Sequence, residues 1–348
     1  MHGMTTYFIR RLLLIPVTFI AITFMVYAVL RVVPGGPIEQ AQLQIKMAMM
    51  SEGGSTGLAV QEAELQIPES AMAELKKYYH LDKSIPEGYA RWFWGILRLD
   101  FGRSYIYNQP VLEVIVSKFH ISLYFGLIGY FASWIICVPL GVTKAIKHKT
   151  SYDTVTSVLV FMGYSIPGFV AALLLLVVFG GGSFFDVVPL GGFRSANWAE
   201  LPFWGKVFDQ LHHTIVPVIG YLIGGFATMT ILMKNSLLDN LGADYVRTAF
   251  AKGLSEKRVI FIHAMRNSLI PLTVGIGQAL GLLFAGSFLI EKTCNIPGMG
   301  LLGYNSIIQR DYPIILGTLV FLVLIKLTGN IISDLVWALI DPRIRFGK

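Results

Sequence analysis

Charge is what this sequence lacks. Only 14% of its 348 residues are Asp, Glu, Lys or Arg, against 54% hydrophobic residues, and its mean hydropathy is +0.63. A soluble domain carries roughly 25% charged residues. A water-soluble globule of this size would have too little charge to cover its surface, which nearly excludes a cytosolic enzyme. The same shortage argues against a DNA-binding protein, despite a net charge of +7 and a pI near 9.3. Cysteine is scarce too. Cys137 and Cys294 cannot make a disulfide scaffold, and they are expected on different levels of a membrane, unbridged. No G-x-x-x-x-G-K-[ST] phosphate loop occurs. Nor does H-E-x-x-H, so no metal is expected at His212, His213 or His263.

Long uncharged runs are abundant. A bilayer core is about 30 Å thick, so a spanning helix needs about 20 mostly apolar residues. Five windows hold no Asp, Glu, Lys or Arg: 12–30, 119–143, 154–185, 214–233 and 267–290. A sixth, from 312 to about 340, is interrupted by Lys326 and Asp334. The sequence thus predicts an all-α polytopic membrane protein with six crossings and both termini on one side. Basic residues near the crossings decide which side. Arg10, Arg11, Lys144, Lys147, Lys149, Lys234, Arg247, Lys252, Lys257, Arg258, Arg266, Arg343, Arg345 and Lys348 fall in one set of segments. The short opposite loops hold only Arg194, Lys206, Lys292 and Arg310. Both termini are therefore expected in the cytoplasm, and the positive charge is mostly a topology signal. The first apolar run is longer than a signal-peptide core and lacks a small-x-small cleavage site before Pro34, so it is expected to be retained.

The plan that follows has three parts. Residues 1–30 form a tail and the first crossing. Residues 31–118 form a large outer loop. Residues 119–348 form a five-helix core, with crossings at 119–143, 154–179, 214–236, 267–290 and 312–340 and an inner loop at 237–266. The outer loop opens with the turn Pro34-Gly35-Gly36-Pro37, followed by Gln-, Met-, Ser- and Gly-rich residues. Amphipathic helices are expected over 69–79 and 89–99. Trp92, Phe93 and Trp94 in the second suit a membrane–water interface. Residues 298–303 match G-x-G-x-x-G, but a dinucleotide site needs a βαβ unit around it, and this stretch follows a membrane helix.

The inner loop is the most patterned polar stretch. The spacing predicts a short helix from about Ala243 to Lys252, stopped by Gly253. Ser255 is expected to cap a second helix beginning at Glu256, which runs on toward the fifth crossing, entered or kinked at Pro271. Helical geometry puts Tyr245, Ala249 and Lys252 near one face, with Thr248 beside them. Such a face is either a docking knob for a partner groove or an ordinary solvated loop.

Two crossings carry candidate channel or interface residues. In the sixth, Lys326, Asn330, Ser333 and Asp334 share a face. A charge at bilayer depth costs roughly 2.5–3.5 kcal/mol on insertion scales, so it usually faces a partner or water. An internal Lys326–Asp334 pair or a subunit contact is favoured over a pore lining. In the fifth, Gly275, Gly277, Gly281 and Gly286 leave one side thin, and Gly277 and Gly281 form a small-xxx-small pair. Gln278 is the strongly polar side chain there. Close helix packing is favoured over peptide binding. Pro139, Pro167 and Pro217 are candidates for kinks.

The stretch Asp244-Tyr245-Val246-Arg247-Thr248-Ala249, Lys252-Gly253-Leu254-Ser255, then His263-Ala264, Arg266-Asn267 and Pro271, resembles the EAA loop of binding-protein-dependent ABC importer permeases of the peptide branch. Arg10-Arg11, Leu99-Asp100-Phe101-Gly102-Arg103-Ser104, Ile166-Pro167-Gly168-Phe169, Ile296-Pro297-Gly298-Met299-Gly300, Arg310-Asp311-Tyr312-Pro313 and Asp341-Pro342-Arg343-Ile344-Arg345 carry the likeness across nearly the whole chain. Within that branch, Pro34-Gly35-Gly36-Pro37, the long outer loop and Gly181-Gly182-Ser183-Phe184-Phe185-Asp186 are similar to Yej-type permeases. Thr248-Ala249 stands where Glu-Ala-Ala is usual, and Phe250 stands in place of a basic residue. The resemblance implies the type I ABC importer permease (MetI-like) fold and a permease without catalytic residues, importing peptides, with oligopeptides and peptide antibiotics as the substrate class. It implies that Asp244, Tyr245, Arg247, Thr248, Ala249, Lys252 and Gly253 couple it to a separate cytoplasmic ATP-binding subunit, which binds the ATP and Mg. It further implies a second homologous permease and a periplasmic peptide-binding protein in the inner membrane system. A secondary transporter driven by ions is the main rival, but only Lys326 and Asp334 qualify as buried titratable groups.

Overall fold

The computed structural model describes residues 2–33, 83–182, 184–273, 281 and 284–340. The Pro34–Pro37 turn, the expected helix at 69–79, Gly275, Gly277, Gln278 and the tail beyond 340 lie outside the described residues. Among the described residues every extended element is helical, beyond two isolated β-bridges. In chain order these are α1 (His2–Val32), α2 (Ile85–Leu97), α3 (Val111–Ile146), α4 (Ser151–Tyr164), α5 (Gly168–Phe179), α6 (Phe203–Leu241) and α7 (Asp244–Ala251). A helical turn Glu256–Arg258, a π-helical run Val259–Ala264 and short turns Met265–Ser268 and Ile270–Thr273 follow. Then come α8 (Phe288–Thr293), α9 (Met299–Ile308) and α10 (Tyr312–Ile340). Four helices, α1, α3, α6 and α10, are long and apolar enough to cross a bilayer.

The third expected crossing departs from a simple span. It is split into α4 and α5, which meet at 91°. Pro167 lacks the N–H that would continue the ladder, and it pushes Ile166 out of the helical region. The window's C-terminal end also leaves the helix, since Gly180 is extended and pairs with Val188. Pro139 and Pro217, by contrast, sit within the continuous helices α3 and α6. In the fifth window the described parts are not one helix. A turn at Leu269 precedes Ile270–Thr273, and Gly286 and Ser287 are non-helical.

The chain divides into two compact units. One holds residues 14–117 and 303–321. There α2 starts four residues earlier than expected, with Pro86 in its first turn, where a missing N–H costs nothing. Its Tyr89 is buried against α1, and the Tyr89 hydroxyl lies 2.9 Å from Thr23 Oγ1. Phe93 stacks on Tyr89, and Trp92 lies against Tyr27. Of the three expected interfacial aromatics, then, only Trp94 is exposed; the other two help cover α1. The same unit explains two motifs at once. Asp311 is buried, and its carboxylate accepts hydrogen bonds from the Ser104 hydroxyl and from the Tyr105 and Ile106 N–H groups, the latter two at 3.3 Å. Gly102 reaches the left-handed region (φ +76°) that the turn before Ser104 needs.

The other unit holds residues 1–13, 118–302 and 322–348. One core cluster joins Ile121 and Phe125 of α3, Ala172 and Leu176 of α5, Val216 of α6, and Ile290, Cys294 and Ile296. A second gathers Val142 and Ala145 at the end of α3, Met233 and Leu237 at the end of α6, and Val246, Ala249, Val259 and Ala264. Close backbone approach sets the helix spacing. A Cβ on Gly168 would collide with the Gly220 carbonyl, and one on Gly220 would stand 3.1 Å from the Gly168 carbonyl. Thus α5 begins where it lies backbone to backbone on α6. Cys137 and Cys294 are both free and buried.

Candidate functional site

The short helix of the 237–266 loop forms where the sequence places it. Helix α6 ends at Leu241, and Ala243 turns extended (ψ 151°). Asp244 then occupies the first turn, where a carboxylate meets the positive end of the helix dipole. At the other end Gly253 adopts φ +76°, and its N–H donates to the Phe250 carbonyl at 2.9 Å. A side chain there would strain the backbone. Ser255 takes the extended capping conformation before Glu256, but its hydroxyl makes no capping hydrogen bond.

Burial separates the two faces of α7. Val246 and Ala249 turn inward, into the chain's own second core cluster. Ala249 therefore does not belong to an outward docking face with Tyr245 and Lys252. Its small side chain lets α7 lie down on Val259 and Ala264. The outward face holds Asp244, Tyr245, Arg247, Thr248, Phe250, Ala251 and Lys252, with Gly253 beyond them, all exposed. Tyr245 is 40% exposed and Phe250 46%, so two aromatic rings flank the buried stripe. The Tyr245 hydroxyl donates to Asn240 Oδ1 at 2.6 Å, which ties its ring to the end of α6. Thr248 Oγ1 donates back to the Asp244 carbonyl at 2.9 Å, and Arg247 lies 3.7 Å from Asp244. Phe250 was absent from the expected coupling set, although its exposed apolar ring is the kind of side chain that fills a partner's pocket.

The channel candidates separate. Gly277 and Gln278 lie outside the described residues. Among the described residues nothing comes within 4 Å of a Cβ placed on Gly281. Gly286 is a turn glycine (φ +68°) that is also tightly packed: a Cβ there would collide with the Glu291 carboxylate and stand 2.9 Å from Ser122 Oγ. The expected Lys326–Asp334 pair does not form. Asp334 is buried and pairs with Arg11 of α1, while the Tyr7 hydroxyl donates to it at 3.2 Å. Eight residues of helix separate Lys326 from Asp334 by about 12 Å of rise, whereas Arg11 reaches it directly. Lys326 is exposed and has no ion-pair partner among the described residues, and Asn330 is half-buried.

Two polar clusters were not expected from the sequence. Glu291 is buried in α8; its carboxylate accepts the Ser122 hydroxyl at 2.8 Å and the Leu301 N–H at 2.7 Å. Ser122 Oγ in turn accepts the Met299 N–H at 2.7 Å. A Cβ on Gly298 would stand 2.5 Å from the Glu291 carboxylate, which accounts for glycine in Ile296-Pro297-Gly298-Met299-Gly300. The other cluster joins Lys144 of α3, Asp153 of α4 and Lys234 of α6. Lys234 Nζ sits 2.7 and 2.8 Å from the two Asp153 carboxylate oxygens, and Lys144 Nζ sits 3.1 Å from one of them. The sequence presents both lysines as topology charges. The long-range pairing has no local signal.

Residues 137–346 match the family model described as "Binding-protein-dependent transport system inner membrane component". The chain is 38% identical to the inner membrane ABC transporter permease protein YejB of Escherichia coli O157:H7, over 99% of both chains. It is 36% identical to the peptidoglycan transport system permease protein YejB of Agrobacterium fabrum, again over 99% of both. With the dipeptide transport system permease protein DppB of Escherichia coli strain K12 it shares 31% identity over 99% of this chain and 100% of that one.

Proposed function

The chain belongs to the binding-protein-dependent transport system inner membrane components, and on that footing we propose that it is the permease subunit of an ATP-driven importer of peptides. It is a multi-pass inner membrane protein. Relatives whose names speak of dipeptide and peptidoglycan transport support oligopeptides as its cargo class, and peptide antibiotics fall within the same chemistry. A delivery protein on the outer side hands over the peptide, and a second, homologous permease completes the path. Both termini face the cytoplasm. ATP and Mg bind to a separate cytoplasmic subunit, in keeping with the absence of a phosphate loop in this sequence.

The observation behind this reading is α7 itself. A helix of 8 residues is held to the body of the protein by Val246 and Ala249 while the rest of it stays exposed. Isolated, so short a helix would not be stable in water; anchored on the core, it presents a fixed shape to a partner. A groove of the ATP-binding subunit grips Tyr245, Arg247, Thr248, Phe250 and Lys252. ATP-driven closure of that subunit then moves α7 and the end of α6, and the permease alternates between inward- and outward-open states. The test is to purify the chain with the proteins encoded beside it and reconstitute the complex in liposomes. Peptide should accumulate only with ATP and the delivery protein. Uptake driven by a proton gradient without ATP would favour an ion-coupled transporter and sink the reading.

A further inference from the structure

The Lys144–Asp153–Lys234 cluster lies outside α7, and its three charged side chains share a dense set of hydrogen bonds among the described residues. Lys144 is 1% exposed, and its Nζ donates to the Asp153 carbonyl at 3.0 Å and to Thr156 Oγ1 and Ser157 Oγ at 2.8 Å each. The Asp153 carboxylate also meets His148 Nδ1 at 3.2 Å and accepts the Lys149 N–H at 3.3 Å. One carboxylate is thus bonded from α3, from the turn after it, and bidentately from α6. Buried ion sets contribute little net stability against an apolar replacement, because desolvation offsets the attraction. Their best-attested use is to fix the register of one element against another.

The register fixed here connects two parts of the chain already described. Among the contacts of the α4–α5 segment with α6, two bracket the bend. One is the glycine contact of Gly168 with Gly220; the other is Asp153 with Lys234. Fourteen residues of α6, about 21 Å, lie between them. The right-angle bend of the third crossing lies between the same two anchors along the α4–α5 chain. Beyond Lys234, α6 continues to Leu241 and, through Gly242 and Ala243, to α7. We propose that Asp153 is a positioning residue for transport: through Lys234 it makes α4 follow the inner end of α6, so that a displacement of α7 reaches the bend at Ser165–Pro167.

This inference rests on α7 being the element that the ATP-binding subunit moves. The experiment uses the full complex in liposomes, with wild type, Asp153→Asn, Lys234→Gln and Lys234→Arg. Complex yield, ATP hydrolysis and peptide imported per ATP hydrolysed are measured for each. Asp153→Asn and Lys234→Gln should still hydrolyse ATP, while peptide per ATP falls about tenfold, the size of effect that a coupling element carries. Lys234→Arg should restore the wild-type ratio, because it keeps a bidentate cation for the carboxylate. Lys234→Gln leaves Asp153 paired with Lys144, so it decides the matter if Asp153→Asn does not assemble. A lower complex yield with an unchanged peptide-per-ATP ratio would reduce the cluster to a folding device and overturn the proposal. Wild-type uptake that ignores ATP would instead overturn the underlying function. Coupled wild type with unaffected variants would overturn only the role of Asp153.

Discussion

Ala249 and Phe250 are neighbours with opposite surroundings. Ala249 lies under α7 against Val246, Val259 and Ala264, while the Phe250 ring stands in the open. Ala249→Glu would therefore bury a carboxylate with no partner, a change in the range of 3–5 kcal/mol. We expect the permease to be lost from the membrane, as read by immunoblot of membrane fractions. Phe250→Ala should leave the amount and melting temperature of the permease unchanged. It should weaken retention of the ATP-binding subunit about tenfold, since an exposed aromatic anchor is commonly worth more than 1 kcal/mol at an interface. The reverse pattern would mean that the outward face of α7 is not the docking face. The helical period grouped Tyr245, Ala249 and Lys252 on one face, which burial splits: Tyr245 and Lys252 are exposed and Ala249 is turned inward. It did not show whether Ala249 fills the chain's own core or a partner's groove, because small apolar residues serve both. Asp334 was hidden for a related reason. Its partner, Arg11, lies more than three hundred positions away and reads locally as a topology charge.

At the scale of elements, uncharged runs of twenty residues were enough to locate most membrane helices, because nothing else in a chain needs so long an apolar stretch. The bend in the third crossing was legible only as a possible kink at Pro167. Its right angle depends on α5 settling on α6 through Gly168 and Gly220, a contact that no local pattern announces. Two alanine substitutions separate these causes. Gly168→Ala puts a methyl group against the Gly220 backbone and should destabilise the protein by about 1–3 kcal/mol, as overpacking does. Gly163→Ala, in α4, meets nothing within 4 Å and should stabilise it by about 0.5–1 kcal/mol, the usual gain from replacing a helical glycine. Thermal unfolding in detergent reads both. Equal shifts would mean that the approach of α5 to α6 is not tightly packed.

For the whole molecule, the scarcity of charge fixed the class of protein at once, and the family relationship bears out a multi-pass permease. The full count of six crossings stays an expectation, since part of the fifth lies outside the described residues. Sidedness can be measured cleanly because Cys137 and Cys294 are buried, and wild-type protein should label weakly with a membrane-impermeant maleimide. Asp186→Cys, in an exposed loop, should label in intact spheroplasts. Lys257→Cys, in the exposed inner loop, should label only after the membrane is broken. The opposite result would turn the protein over and remove α7 from the side where ATP is available.

Helix α6 is 39 residues long, so it measures about 58 Å, nearly twice the thickness of a bilayer core of about 30 Å. It carries α7 at one extremity and Phe203 at the other. A stiff beam of that length behaves as a see-saw: tilting it by about 10° about its centre swings each tip by about 5 Å, in opposite senses. On the proposed coupling, a shove at Asp244 would be answered at Phe203 by movement the other way, without any separate signal travelling across the membrane.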